Sequence, residues 1–326
     1  MADTPRDDVV ELPALPGLGR LYARSLAGLA GLAGRSGDTL PERTLVVSDV
    51  VVDRRHVADY TAVCGFGLAD AVPPTYPHLL AFPLAVQLMA ARDFPFALPG
   101  LVHVAQHVHQ RTSIRVGDRL ELRVRARHLR PHRRGRQFDV LVEIERDGEP
   151  VWNASSTYLR RGSTGTDGPG GTDGPGDTDG PGRTEGATST DGPAPADTTS
   201  EPGPADGTPP PTAVWRLEGG LGRRYAAVSG DRNPIHLHPL TARLGGFSRP
   251  IAHGMWTAAR CVAAVAERPA GPVRLDVDFR QPVLLPATVA LHTTRTDDGW
   301  RFTLRDRSGR RRHLTGSLAL PSGASA

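Results

Sequence analysis

The sequence predicts an α+β fold assembled twice in one chain, and three observations predict it. Segments of strict apolar–polar alternation, the pattern of strands with one wet face, occur on both sides of a central low-complexity stretch. Each flank carries one longer run that is apolar nearly all round, the pattern of a helix buried on every side. The order of these elements repeats at offsets of 165, 173 and 169 residues, the drift that loop insertions produce. A helix without a polar face needs a sheet to wrap it, so each half reads as an antiparallel sheet around one long helix.

Residues 1–39 form an N-terminal extension. Its acidic start and the short Gly- and Ala-rich run Leu26–Ala33 make neither a signal peptide nor a membrane span. Gly17-Leu18-Gly19 lacks the strand and helix that a dinucleotide fingerprint requires. The first half, 40–161, contains Tyr60-Thr61-Ala62-Val63-Cys64-Gly65-Phe66 and then the helical run Leu79–Ala91, which accommodates Pro83 only if that residue falls in the first turn. Strands follow at Leu120–Arg127, Phe138–Ile144 and Trp152–Leu159, the last two joined through a turn at Asp147-Gly148. His103, His107 and His109 are expected to share one strand face; exposed strand histidines are commoner than zinc ligands, and no metal site is expected.

Residues 162–212 repeat Thr-Asp-Gly-Pro at Thr166, Thr172, Thr178 and Thr190, with four alanines as the only apolar residues. Such a segment cannot bury enough surface to offset the entropy of ordering it and reads as a disordered acidic linker. The second half, 213–321, opens on a segment that parallels Tyr60–Phe66. Its helical run Met255–Glu267 stops before Pro269, and strands follow at Val273–Phe279, Thr288–Thr294, Trp300–Asp306 and His313–Leu320 with turns at Asp298-Gly299 and Ser308-Gly309.

All 39 basic residues of the 326 are arginine, and the net charge is +4. The linker carries −8, which leaves +12 on the remainder, a surplus that favours anionic partners such as phosphates or an acidic carrier protein. Arg123, Arg125, Arg127, Arg130, Arg133, Arg134 and Arg136 form a basic run, which is either a solvated face or a docking surface for such a partner. No nucleic-acid recognition motif accompanies the charge, and aromatics are only 5%. Cys64 and Cys261 can build neither a disulfide framework nor a zinc finger, so a reducing cytoplasm is expected.

The chemistry concentrates in Tyr225-Ala226-Ala227-Val228-Ser229-Gly230-Asp231-Arg232-Asn233-Pro234-Ile235-His236, continuing through Pro250-Ile251-Ala252-His253-Gly254-Met255. A carboxylate, Asp231, and an imidazole, His236, lie five residues apart across a Gly-Asp-x-Asn-Pro turn, a spacing that folds both onto one water molecule. Gly254 directly precedes the apolar run, so its N–H is among the unpaired amides at a helix N-terminus, where developing negative charge is stabilised. The stretch closely resembles the signature of the MaoC-like, or R-specific enoyl-CoA hydratase, family. That resemblance implies a double hot-dog fold and reversible hydration of trans-2-enoyl thioesters to (R)-3-hydroxyacyl thioesters, without metal or redox cofactor. It makes Asp231, His236 and Gly254 catalytic and Asn233, Ser229, Tyr225 and His253 substrate-binding, on acyl-CoA or acyl-carrier-protein thioesters. It also implies that the first half is a non-catalytic partner: Phe66 stands in the place of Asp231, Leu68 in that of Asn233 and Leu80-Ala81 in that of His253-Gly254. A carrier-protein dehydratase, a non-catalytic acyl-thioester-binding protein and a thioesterase on the same fold are the alternatives, and pairing into a homodimer is left open.

Overall fold

In this computed structural model, residues 8–27, 37–162, 210–266 and 271–320 are described. The first half runs through β1 (Val9–Glu11), α1 (Leu18–Ala27), β2 (Thr44–Val51), α2 (Arg54–Cys64), α3 (Pro77–Ala90), β3 (Leu101–Gln110), β4 (Arg119–His132), β5 (Gly135–Arg146) and β6 (Glu149–Arg161). The second half runs through β7 (Ala213–Leu217), α4 (Leu221–Ser229), a 3-10 turn (Pro234–His236), α5 (Pro239–Leu244), α6 (Gly254–Val265), β8 (Val273–Phe279), β9 (Ala287–Thr296), β10 (Gly299–Asp306) and β11 (Arg312–Ala319). All strands join one sheet in the order β1-β2-β4-β5-β6-β3-β8-β11-β10-β9-β7. The two halves meet edge to edge where β3 pairs antiparallel with β8, from Ala105 opposite Asp278 to Gln110 opposite Val273.

The two apolar runs are the helices that the sheet covers. On α3, Leu79, Leu80, Leu84, Ala85, Leu88 and Met89 are buried against β4, β2 and β5; on α6, Met255, Trp256, Ala258, Ala259, Cys261 and Val262 are buried beside β11 and β10. Burying each large side chain contributes about 1.5–3 kcal/mol, which is why neither helix has an exposed face to spare. The architecture is the α+β double hot-dog that the sequence implies. Its internal repeat is visible in detail: α2 and α4 both end on a glycine in the left-handed conformation, Gly65 at φ 80° and Gly230 at φ 71°. Two half-buried hydrogen bonds then tie the halves across the repeat. Trp256 Nε1 donates to the carbonyl of Val63 at 2.9 Å, and His56 Nε2 donates to the carbonyl of Val228, the repeat equivalent of Val63, at 2.8 Å.

Three sequence expectations are corrected, and a fourth falls on residues that are not described. Pro83 lies in the interior of α3, because the helix starts two residues early with Pro77 in its first turn. His103, His107 and His109 do not share a face: a β-bulge between His103 and Ala105 shifts the side-chain alternation, turning His103 inward while the His107 imidazole meets the Asp276 carboxylate outside at 2.7 Å. The bridges Ala71–Arg115 and Ile251–Leu284 and the two helix starts align Tyr76-Pro77, rather than Leu80-Ala81, with His253-Gly254. Pro77 has no N–H, so the first half offers no amide at the position of Gly254. The linker expected at 162–212 lies outside the described residues from 163 to 209. At its ends, the Gly162 N–H donates to the Arg134 carbonyl and the Thr212 N–H donates to the Leu291 carbonyl, so both belong to the fold. Among the described residues, no helix is long and apolar enough to cross a membrane.

Candidate active site

The turn after α4 is built by its own side chains. Ser229 Oγ donates to the Tyr225 carbonyl at 2.9 Å and accepts from the Asp231 N–H at 3.2 Å, which turns the chain out of the helix at Gly230. Asp231 Oδ1 then accepts the Asn233 N–H at 3.1 Å, an Asx turn, and Asn233 Oδ1 accepts from Ile235 N–H to start the 3-10 turn that carries His236. Pro234 fixes φ at the first position of that turn. The α4 helix packs against the turn through Gly222, where a Cβ would stand 2.1 Å from the His236 carbonyl oxygen. His238, just beyond, caps α5 by accepting the Leu240 N–H.

His253 closes the site from the other side, as the residue before α6. Its Nε2 lies 3.0 Å from the backbone carbonyl of Asp231; a carbonyl only accepts, so this nitrogen carries the proton. Its ring stacks on His236 with centroids 3.7 Å apart. His236 Nδ1 in turn donates to the Ile251 carbonyl at 2.8 Å. Burial holds His236 below its ordinary value, and burial, with His236 beside it, pushes His253 down to about 3. Both rings are neutral, each has spent its one proton on a carbonyl, and His236 Nε2 is left as a bare acceptor. Burial would raise the Asp231 carboxyl, but the neighbouring imidazoles of His253 and His236, with the Tyr22 hydroxyl and the Asn233 N–H, outweigh it and hold it below its ordinary value. The Asp231 carboxylate and the two imidazoles come within 4.8 Å of one another, a gap that one bridging water spans.

All seven residues singled out in the sequence, Asp231, His236, Gly254, Asn233, Ser229, Tyr225 and His253, line one cavity of about 580 Å³. They differ in what they have left to offer a ligand. The Ser229 hydroxyl is occupied by the turn. The Tyr225 hydroxyl is buried with no partner among the described residues, as is His253 Nδ1. Gly254 sits in the first turn of α6, whose N–H groups have no carbonyl within the helix, and a Cβ there would meet the Phe279 ring at 3.2 Å.

The cavity also draws on residues beyond that motif, among them Arg130, Arg133 and Arg134 of the basic run and His103 of the histidine trio. Leu79, Phe82, Met89, Leu98 and Leu101 of the first half give it an apolar wall, and Arg130, Arg133, Arg134, Arg161 and Arg280 line it as well. His78 and His103 stack at 6.1 Å, pushed by burial to about 4 and about 3, with His78 Nδ1 and His103 Nε2 unpartnered among the described residues. Tyr22 comes from the N-terminal extension: its hydroxyl donates to Asp231 Oδ1 at 2.8 Å. The only sequence signal for it was the apolar spacing of Leu18, Leu21 and Tyr22 on one helical face.

Known proteins share the fold. A family model described as "MaoC like domain" matches residues 220–315. The 3-hydroxyacyl-thioester dehydratase X of Mycobacterium tuberculosis is 38% identical over 295 residues, spanning 90% of this chain and 95% of that protein. The crystal structure of HtdX from the same organism superposes with a TM-score of 0.68 at 36% identity, over 85% of this chain and 99% of that one. A MaoC-like dehydratase from Phytophthora capsici shares the fold at 18% identity, with a TM-score of 0.61 over 87% of this chain and 96% of that one. With the relative matched from end to end and the turn, the two histidines and the helix N-terminus on one cavity, the chain belongs to the MaoC-like dehydratase family.

Proposed function

We propose that this chain is a hydro-lyase that catalyses reversible hydration of trans-2-enoyl thioesters to (R)-3-hydroxyacyl thioesters, with Asp231 and His236 as the acid/base pair and Gly254 as the oxyanion donor. The observation that carries the reading is the protonation pattern: an Asp231 carboxyl held below its ordinary value lies within 4.8 Å of a His236 imidazole whose Nδ1 proton is spent on the Ile251 carbonyl, a spacing that one water can bridge. A water between them donates one hydrogen to each and keeps a lone pair for C3 of the enoyl group. As its oxygen bonds to C3, the pair accepts one proton and the C2=C3 electrons move to the thioester oxygen. The Gly254 N–H, at the positive end of α6, stabilises that oxygen; such donors contribute about 3–4 kcal/mol. The enolate collapses as the proton returns to C2, so one water is added and the pair is restored.

No oxidation or reduction accompanies this addition, so no redox cofactor is needed. Asp231, His236 and His253 are spaced closely enough to hold a cation, but His253 Nε2 carries the proton bound to the Asp231 carbonyl, and we read the trio as a proton-handling group. The apolar wall suits an acyl chain, and the arginines lining the cavity suit the phosphates of an acyl-CoA or an acyl carrier protein. The test is loss of the conjugated enoyl-thioester absorbance with short, medium and long trans-2-enoyl-CoA. Rapid loss is expected for the wild type, with a fall of 10²-fold or more in both Asp231→Asn and His236→Gln. Release of free thiol would indicate a thioesterase instead, and binding without turnover on either CoA or carrier-protein thioesters would indicate a binding protein.

A further inference from the structure

The N-terminal helix α1 lies outside the residues that match the family model, yet it reaches the centre of the site. It packs on α3 of the first half, and Leu18 rests against Gly230, so that a Cβ on Gly230 would stand 2.3 Å from Leu18 Cδ1. This seats α1 on the turn that presents Asp231. One helical turn after Leu18, Tyr22 places its hydroxyl on the carboxylate.

We propose that Tyr22 is a positioning residue of the active site: its hydroxyl, together with the Asn233 N–H, saturates Oδ1 of Asp231 and leaves Oδ2 as the oxygen presented to the substrate water. The proposal rests on the reading of Asp231 as one of the water-activating pair. The geometry is specific. Oδ1 accepts Tyr22 at 2.8 Å and Asn233 N–H at 3.1 Å, whereas the nearest imidazole nitrogen to Oδ2, His253 Nε2, stands 3.7 Å away with its proton on the Asp231 carbonyl. A carboxylate pinned through one oxygen cannot rotate, and its free oxygen keeps one bearing on the water shared with His236. Burial, and then the Asp231 charge, keep the phenol protonated, so Tyr22 acts as a donor throughout the working pH range.

The other groups facing Asp231 cannot replace that donor with a charge. His253 at the head of α6, His236 on the 3-10 turn, His78 on α3 and His103 on β3 are neutral imidazoles, and Tyr225 on α4 and Tyr158 on β6 are protonated phenols. Arg232, next in the chain, and Arg20 on α1 are exposed. Losing the Tyr22 hydroxyl therefore leaves the carboxylate with one fewer hydrogen bond and makes it easier to protonate.

The experiment measures kcat, KM and the pH profile of enoyl-CoA hydration for the full-length wild type, Tyr22→Phe, Tyr22→Ala, Asp231→Asn and the Tyr22→Phe/Asp231→Asn pair. Tyr22→Phe keeps the packing and is expected to lower kcat about tenfold and to move the acid limb, which reports the pair as a unit, up by about one pH unit, with KM changed less than threefold. Tyr22→Ala should add little beyond that, and the Tyr22→Phe effect should vanish when Asp231 is already Asn. If Tyr22→Phe matches the wild type and only Tyr22→Ala loses activity, the side chain is packing and the proposal fails. A faster Tyr22→Phe enzyme would make Tyr22 a plug on the site, which also overturns it. Wild-type activity in Asp231→Asn would instead remove the reading of Asp231 on which the proposal stands.

Discussion

Gly222 shows how much of the site is decided by an atom that is absent. It lies in a regular helix with no special backbone angle, so nothing in the sequence marks it, yet a methyl group there would sit 2.1 Å from the His236 carbonyl oxygen. Gly222→Ala must push the 3-10 turn away from α4 and carry His236 Nε2 out of reach of the shared water. Misplacement of about 1 Å costs on the order of 10²-fold in rate, so kcat/KM is expected to fall 10- to 100-fold, checked by the enoyl-CoA assay, with a lower melting temperature. Wild-type turnover in that variant would show that this contact does not set the imidazole. The proposed acid/base pair itself predicts the activity profile. Asp231 and His236 both titrate below their ordinary values, 3.8 and 6.5, so both are acceptors at neutral pH. Hydration should therefore be level above about pH 6.5 and decline only as acid protonates the pair; a rate that rises on acidification would assign the chemistry to other groups. The seven residues of the site were readable because a long motif with fixed spacing carries them. Tyr22 and Gly222 were not, because one arrives from more than two hundred residues away and the other works by being small.

Among the elements, those with clean periodicity were legible and those with irregular backbone were not. The strand expected at Val273–Phe279 is found with those ends, and the hairpin at Asp147-Gly148 is found with both turn residues at positive φ, 54° and 79°. β2 escaped because a bulge between Val47 and Val50, with Asp49 at φ 63°, breaks its alternation. The same device inside β3 misdirected the histidine reading, since one bulge reverses every later side chain. β7 is only five residues long, too short for a pattern to emerge. The contact between halves gives an element-scale prediction. Trp256→Phe keeps most of the ring buried on α6 but leaves the Val63 carbonyl without the indole N–H. Chemical denaturation should show a loss of about 1–3 kcal/mol, with catalytic groups undisturbed and kcat within about twofold of wild type. An unchanged stability would mean that the bond is replaced by water and that β3–β8 pairing alone holds the halves together.

At the scale of the whole molecule, the cavity stores a pH dependence of stability. The repeat made the two-half architecture readable, and the first half lines the cavity with an apolar wall and two histidines, His78 and His103. No motif announces these, because each became a wall residue only when the sheet brought the halves together. Burial pushes His78 to about 4 and His103 and His253 to about 3, against an ordinary value of 6.5. Above pH 6.5 folded and unfolded chains both hold these rings neutral, and nothing is lost. As pH falls through 6.5 the unfolded chain takes up protons that the folded chain refuses, so the unfolded state is favoured until the folded values near 3–4 are reached. At pH 5 the loss is on the order of 2 kcal/mol per histidine, and three such groups consume a large part of the 5–15 kcal/mol that holds an ordinary domain folded. Asp231 and Asp139, whose folded values are lowered, add to the loss only below about pH 4. Urea unfolding at pH 7 and pH 5 should therefore differ by several kcal/mol, and replacing His78 and His103 with Gln and Phe should flatten that difference by more than half. Equal stability at the two pH values would mean that protonated imidazoles are accommodated in the cavity, and the neutral state assigned to its histidines would have to be given up.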